Sequence, residues 1–250
     1  RQKMFGIFVA SLVVYFLAGI KVRELSLPFL GHIQLGWWSF PLTIFWILAL
    51  TNAVNLIDGL DGLATGVTLI SLVTMGIVGF FFLKSWQHYV PIMCIMLAAC
   101  LLGFLPYNFH PAKIFLGDTG ALYIGFMISV LSLKGLKNVT FVSLLVPILI
   151  LGVPITDTVY AMIRRKLNKK NISQADKHHL HHQLMRMGLS HRQTVLAIYG
   201  ISLIFSFVSL LSLVSPRWGI WLLILGLLFA VELFVETIGL LGETYKPLLH

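Results

Sequence analysis

NAVNLIDGLDGLATG, residues 52–66, closes an apolar run long enough to cross a bilayer and sets Asn52, Asn55, Asp58 and Asp61 three residues apart. A charged side chain at the centre of a bilayer costs at least ~2.5–3.5 kcal/mol, so two carboxylates at the end of a span belong at the interface and need a task there. If the helix runs on through Asp58, positions i, i+3 and i+6 form one drifting stripe that turns amide and carboxylate oxygens toward a common cavity. Such donors suit a hard cation: magnesium takes one or two protein oxygens and completes its shell with water and substrate phosphates. The alternative is that these residues only cap and turn the chain, with Gly59 and Gly62 as breakers.

Outward from that stretch the chain stays apolar. Of its 250 residues 58% are hydrophobic and 11% charged, and the mean hydropathy is +0.92. This excludes an ordinary soluble domain and predicts an all-α integral membrane protein. Measured against the ~20 residues a bilayer requires, the apolar runs predict a polytopic bundle of about eight transmembrane helices. They cover 4–20, 38–57, 63–83, 90–106, 119–133, 140–162, 194–214 and 218–238, within one domain, 1–250. The first run is followed by Lys21 and Arg23 without a small-residue cleavage site, so it reads as a span and not a signal peptide. Between the first two spans, 21–37 alternates enough for a short hairpin outside the membrane. Trp37, Trp38, Trp86, Trp218 and Trp221 fall near span ends, where indoles anchor in the headgroup layer. Cys94 and Cys100, both in one apolar run, are expected in the core rather than in a disulfide or thiolate metal site.

Charge gives the orientation. The net charge is +9, but the basic residues are sparse between spans and concentrate in one connection, which argues for a positive-inside pattern and against nucleic acid. With alternating spans, twelve of the 18 Lys and Arg fall on one side, together with all five aspartates and all histidines except His32 and His88. That side is expected to be cytoplasmic.

Two further stretches carry chemistry. In YNFHPAKIFLGDTG, residues 107–120, Asp118 opens the fifth span, where free backbone N–H groups and the helix dipole favour anionic oxygens such as phosphate. Asp118 or Thr119 could equally be a plain N-cap. Lys113 and Asn108 are candidates for contacts to phosphate or base. The connection 164–192, RRKLNKKNISQADKHHLHHQLMRMGLSHR, gathers Arg164, Arg165, His179 and His181 in basic surroundings without cysteine, which disfavours zinc and suits phosphate and sugar hydroxyls. A loop lying on anionic lipid is the alternative. Asp157 is expected to have a structural role near the end of the sixth span.

Together NAVNLIDGLDGLATG, YNFHPAKIFLGDTG and DKHHLHH resemble the polyprenyl-phosphate N-acetylhexosamine-1-phosphate transferases, glycosyltransferase family 4. The likeness is greatest to the bacterial undecaprenyl-phosphate GlcNAc-1-phosphate transferases that begin wall teichoic acid and related envelope polymers. The resemblance implies transfer of a sugar-1-phosphate from a UDP-sugar to undecaprenyl phosphate, releasing UMP, on the cytoplasmic face of a bacterial inner membrane. It implies magnesium, with manganese as the alternative cation, held by Asn55 and Asp118. It implies that Phe115 stacks on uracil, that Asp61 contacts the nucleotide, that Asn108 lines the same pocket, and that Asp58 is an essential acidic group. Asn52, Lys113, Arg164 and Arg165 would add substrate contacts, and His179 and His181 match a His-x-His that approaches the diphosphate and sugar. The partners implied are the UDP-sugar, undecaprenyl phosphate and the bilayer, with a homodimer left open.

Members of this branch also carry N-terminal spans with an Asp-Asp pair. This chain has no such pair and is expected to correspond to the C-terminal eight spans, with little transfer by itself. A secondary transporter, whose ionisable groups would line a path near the midplane, and a non-catalytic remnant remain as other readings.

Overall fold

The computed structural model describes residues 2–27, 31–82, 89–135, 148–149, 151–167 and 180–238. Helix α1 (Gln2–Phe16) leads into an antiparallel hairpin of β1 (Glu24–Leu27) and β2 (Gly31–Gln34), then a 3-10 turn (Gly36–Trp38) and α2 (Ser39–Ile57). There follow α3 (Leu63–Phe82), α4 (Tyr89–Asn108), α5 (Gly117–Gly135), α6 (Gly152–Leu167), α7 (Leu180–Arg186), α8 (His191–Val214) and α9 (Arg217–Ile238). The hairpin lies in the connection where alternation predicted it, and Gln34 Nε2 donates to Glu24 Oε1 at 3.2 Å across it.

Five helices are long and apolar enough to cross a membrane: Gly36–Ile57, Leu63–Phe81, Tyr89–Asn108, His191–Val214 and Trp218–Thr237. They match the second, third, fourth, seventh and eighth expected spans. The first expected span is cut short at Phe16, because Gly19 takes φ 62, a left-handed value that ends a helix, while Ile20 N–H folds back to Val14 O. Helix α5 has Asp118 in its first turn and Lys134 in its last, which dilute its hydropathy. Residues 140–147 of the sixth expected span lie outside the described residues, and the described helix there starts at Gly152. Among the described residues, therefore, five helices rather than about eight meet the length and hydropathy of a span.

Helix α3 packs on α4, α2 on α5, and α3 on α8, with α1 against α2 and α6 against both α2 and α8. One core joins Leu50, Leu72, Val78, Cys94, Leu101, Ile124 and Ile128; a second, nearer the 52–66 stretch, joins Ile57, Leu63, Val67, Val153, Leu180, Val195 and Ile198. Several hydroxyls inside the bundle are satisfied locally: Thr68 Oγ1 donates to Ala64 O at 2.6 Å and Ser202 Oγ to Ile198 O at 3.0 Å. Small polar residues of this kind let helices approach closely without unpaired groups, which apolar surroundings demand. Outward-facing Phe45, Phe80, Phe81, Leu222 and Phe229 are exposed, as a lipid-facing surface requires. Cys94 is buried, but Cys100 is exposed, correcting the expectation that both are core; six helical residues turn by about 600°, which leaves the two on different faces.

Candidate functional site

Helix α2 does not continue through Asp58. It ends at Ile57, with Asp58 as C-cap at φ −75, ψ 51, and the chain turns through Gly62 at φ 81 before α3 begins. The continuous stripe expected from the spacing is therefore broken: Asn52 and Asn55 stay on the helix, and the turn carries Asp61 toward the loop after α4. There Asp61 Oδ2 lies 3.0 Å from His110 Nδ1 and accepts the Ala112 N–H at 3.2 Å.

The turn is clamped from α8 and α4. The Tyr199 hydroxyl donates to Gly62 O, and a Cβ on Gly66 would sit 2.0 Å from that hydroxyl, so only glycine admits the ring there. Asn108 is 3% exposed; its Oδ1 accepts from Thr65 Oγ1 at 2.6 Å and its Nδ2 donates to Ile114 O at 3.0 Å, which shapes the loop that presents Phe115. Thr65→Val leaves that buried amide oxygen unpaired and should cost about 1–2 kcal/mol, while Thr65→Ser should retain most of the stability; thermal unfolding in detergent measures both.

Asp118 enters from α5. Gly117 at φ 64 turns the loop into the helix, leaving Asp118 in the first turn, where the dipole favours a carboxylate. Asn55 Nδ2 donates to Asp118 Oδ1 at 3.1 Å, and Lys3 of α1 pairs with Asp118 Oδ2. Hydrogen bonds from Lys3 and then Asn55 hold the Asp118 carboxyl below the usual carboxylate range. Asp58 behaves oppositely: burial, then the charges of Asp118 and Asp61, push its carboxyl up to about 6. For Asp61 burial acts upward, but the hydrogen bonds from His110 and Ala112 and the attraction of His191 and His110 outweigh it, leaving a lowered carboxyl.

The expected residues thus converge unevenly. Asn55, Asp58, Asp61, Asn108 and Asp118 gather around one turn and one loop, with Asn52 half-buried one helical turn before Asn55. Phe115 is 72% exposed and Lys113 is exposed beside it, both open to a ligand. His181 is buried at 3% exposure, its ring packed so closely on the turn that a Cβ on Gly59 would lie 2.5 Å from Nε2. His179 lies outside the described residues, as do the side chains of Arg164 and Arg165 on α6. Asp157 has a structural contact: its Oδ1 accepts the Leu180 N–H at 2.8 Å at the start of α7.

Three site residues were not singled out in the sequence. Lys3 figured only in the charge count, and His110 sat unassigned inside the 107–120 stretch. His191 opens α8, whose start was legible: Ser190 and Gln193 form a capping box, an S-x-x-Q signature. The His110 and His191 rings stack at 4.0 Å, and Arg192 Nε donates to His110 O at 3.1 Å.

Asn55 and Asp118 fit a divalent cation. The two side chains meet from different helices, Asn55 Oδ1 would join the Asp118 oxygens once the amide turns over from its present hydrogen bond, and the ammonium of Lys3 on the outer Asp118 oxygen shows that the position accepts positive charge.

Residues 1–136 match the family model described as glycosyl transferase family 4. The chain is 48% identical over 231 residues to a probable undecaprenyl-phosphate N-acetylglucosaminyl 1-phosphate transferase of Bacillus subtilis, covering 92% of this chain and 64% of that protein. It is 35% identical over 211 residues to a decaprenyl-phosphate N-acetylglucosaminephosphotransferase of Mycobacterium leprae, covering 77% and 53%. It is 32% identical over 212 residues to a phospho-N-acetylmuramoyl-pentapeptide-transferase of Listeria monocytogenes, covering 84% and 63%. The chain thus spans between half and two thirds of the length of these relatives.

Proposed function

The chain belongs to glycosyl transferase family 4, and from that membership we propose that it transfers N-acetylglucosamine-1-phosphate from UDP-N-acetylglucosamine to a polyprenyl phosphate at the cytoplasmic face of a bacterial membrane. In this step an oxygen of the acceptor phosphate attacks the sugar-bearing phosphorus. The bond from that phosphorus to the bridging oxygen breaks, UMP leaves, and a lipid diphosphate sugar remains. The observation that carries the reading is the meeting of Asn55 and Asp118, from α2 and α5, beside the turn that holds Asp58 and Asp61.

Positioning and charge neutralisation supply most of the catalysis in phosphoryl transfer. Exposed Phe115 offers a face for the uracil ring, and Asp61, fixed by Ala112 and His110, offers an acceptor to the base or ribose. Lys113 lies beside Phe115 on the same loop and can meet phosphate. Asn55 and Asp118 would hold magnesium, which when bound neutralises the diphosphate and polarises its P–O bonds. Asp58, which feels the charges of both Asp118 and Asp61, is the candidate to receive or orient the acceptor phosphate.

Asp58 gives the reading a pH signature. With its carboxyl at about 6, it is mostly ionised at neutral pH and protonated below. The transfer rate should therefore fall about tenfold per unit below pH ~6. Because Asp118 contributes to the upward push, a cation on Asp118 should move this limb to lower pH as magnesium rises. A rate that stays flat down to pH 5 removes Asp58 from the chemistry.

The reaction itself is tested by the nucleotide released from UDP-N-acetylglucosamine when polyprenyl phosphate is supplied, with the N-terminal spans of a relative co-expressed. UMP equal to the lipid diphosphate sugar formed supports the proposal, and UDP in its place would mean transfer of the sugar without its phosphate. A thermal-shift panel of UDP-sugars identifies the donor, and the largest stabilisation is expected with the N-acetylglucosamine form.

A further inference from the structure

We propose that Asp61, His110 and His191 form a site for one divalent transition-metal ion of the zinc class, separate from the oxygen-donor pair Asn55 and Asp118. The three residues come from different segments: the turn after α2, the loop after α4 and the first residue of α8. Their ligand atoms all lie within 4.8 Å of one another. His110 Nδ1 is 3.0 Å from Asp61 Oδ2, and the two imidazoles stack at 4.0 Å with 19° between their planes.

An orphaned atom points the same way. Among the described residues, His191 Nε2 is buried without a hydrogen-bond partner. A buried polar atom left so costs about 1–3 kcal/mol, a penalty that a metal–nitrogen bond removes. Two imidazoles and one carboxylate are the donor set of open zinc sites, which keep a fourth position for water or another ligand. Magnesium prefers an all-oxygen shell, so the two sites differ in the ion they select. Zinc bonds of about 2.1 Å place tetrahedral ligands roughly 3.4 Å apart, so the His110–Asp61 pair at 3.0 Å opens slightly, atoms up to 4.8 Å apart close by as much as about 1.4 Å, and the two imidazoles turn out of their stack so that both nitrogens aim at one ion. The outer contacts are in place: the Ala112 N–H fixes Asp61, and Arg192 braces the His110 carbonyl. One consequence rests on the function proposed above: since Asp61 would contact the nucleotide, a metal held there excludes the UDP-sugar.

Cobalt(II) is the probe, added to untagged, metal-stripped protein in detergent. One equivalent should produce the visible absorption of a four-coordinate nitrogen and oxygen site, and one equivalent of zinc should abolish it. His110→Ala and His191→Asn should each weaken binding at least roughly tenfold, with melting temperatures near wild type certifying the fold. Asp118→Asn, and a variant with His178, His179 and His182 replaced by Ala, should bind cobalt unchanged. Absence of the spectrum overturns the proposal, and so does cobalt binding that survives both His110→Ala and His191→Asn or is lost in Asp118→Asn. If cobalt binds as described yet UDP-N-acetylglucosamine affinity does not change, the metal site stands and the nucleotide role of Asp61 falls.

Discussion

Asp118→Asn should lower magnesium-dependent transfer, and the affinity for UDP-N-acetylglucosamine, by roughly 10²–10³-fold while leaving uridine binding near its original value. The carboxylate is ionised, sits in the first turn of α5 and is already bridged to Asn55 and Lys3. Replacing it with an amide keeps the shape and removes the charge. Uridine has no phosphates through which a cation could act, so its binding reports only the pocket around Phe115 and Asp61. Equal losses for both ligands would mean that the substitution disturbs the fold. Calorimetry with the two ligands, each with and without magnesium, separates these outcomes.

Gly125→Leu, although outside the site, should damage both stability and donor binding. A Cβ at Gly125 would lie 3.0 Å from Thr51 Cα, from Thr51 O and from Val54 Cβ, so α5 packs backbone to backbone on the part of α2 just before Asn55. Neither neighbour can yield without moving α2, since two of these atoms are main chain and the third is a Cβ fixed to it. Overpacking of this kind costs about 1–3 kcal/mol, and here it pushes apart the two helices that bring Asn55 and Asp118 together. Melting temperature and magnesium-dependent nucleotide affinity should fall together. Gly103→Leu is the control: its Cβ would meet nothing within 4 Å, so both quantities should stay near wild type.

The part of the site visible in the sequence was the part built from local pattern. Carboxylates and amides at the end of an apolar run marked the 52–66 stretch, and a Gly-Asp at the start of another marked Asp118. That Asn55 meets Asp118, 63 residues away, was implied by the family resemblance, with the shared membrane face of the two stretches in its support, and the structure brings them to 3.1 Å. The continuous Asn-Asp stripe did not survive, because spacing alone cannot show that a left-handed Gly62 closes a turn and carries Asp61 toward His110. Lys3 was invisible for a similar reason: its partner lies 115 residues away and on another helix. His191 opens a helix whose cap was readable, but its stacking on His110 depends on how α8 crosses the loop after α4. Among the described helices, five of the expected spans reach the length and hydropathy of a crossing, while the first and fifth fall short of it where Gly19 ends α1 and where charged residues flank α5.

In the proposed reaction, the cation held by Asn55 and Asp118 is the one that meets the diphosphate of the donor. Manganese(II) in place of magnesium makes this directly measurable by electron–nuclear double resonance. With UDP-N-acetylglucosamine bound, the manganese signal should show phosphorus couplings that are absent with uridine and vanish in Asp118→Asn. Nitrogen couplings from imidazole without any from phosphorus would place the ion at His110 and His191 instead, and would contradict the assignment of Asn55 and Asp118 as the centre that binds the donor.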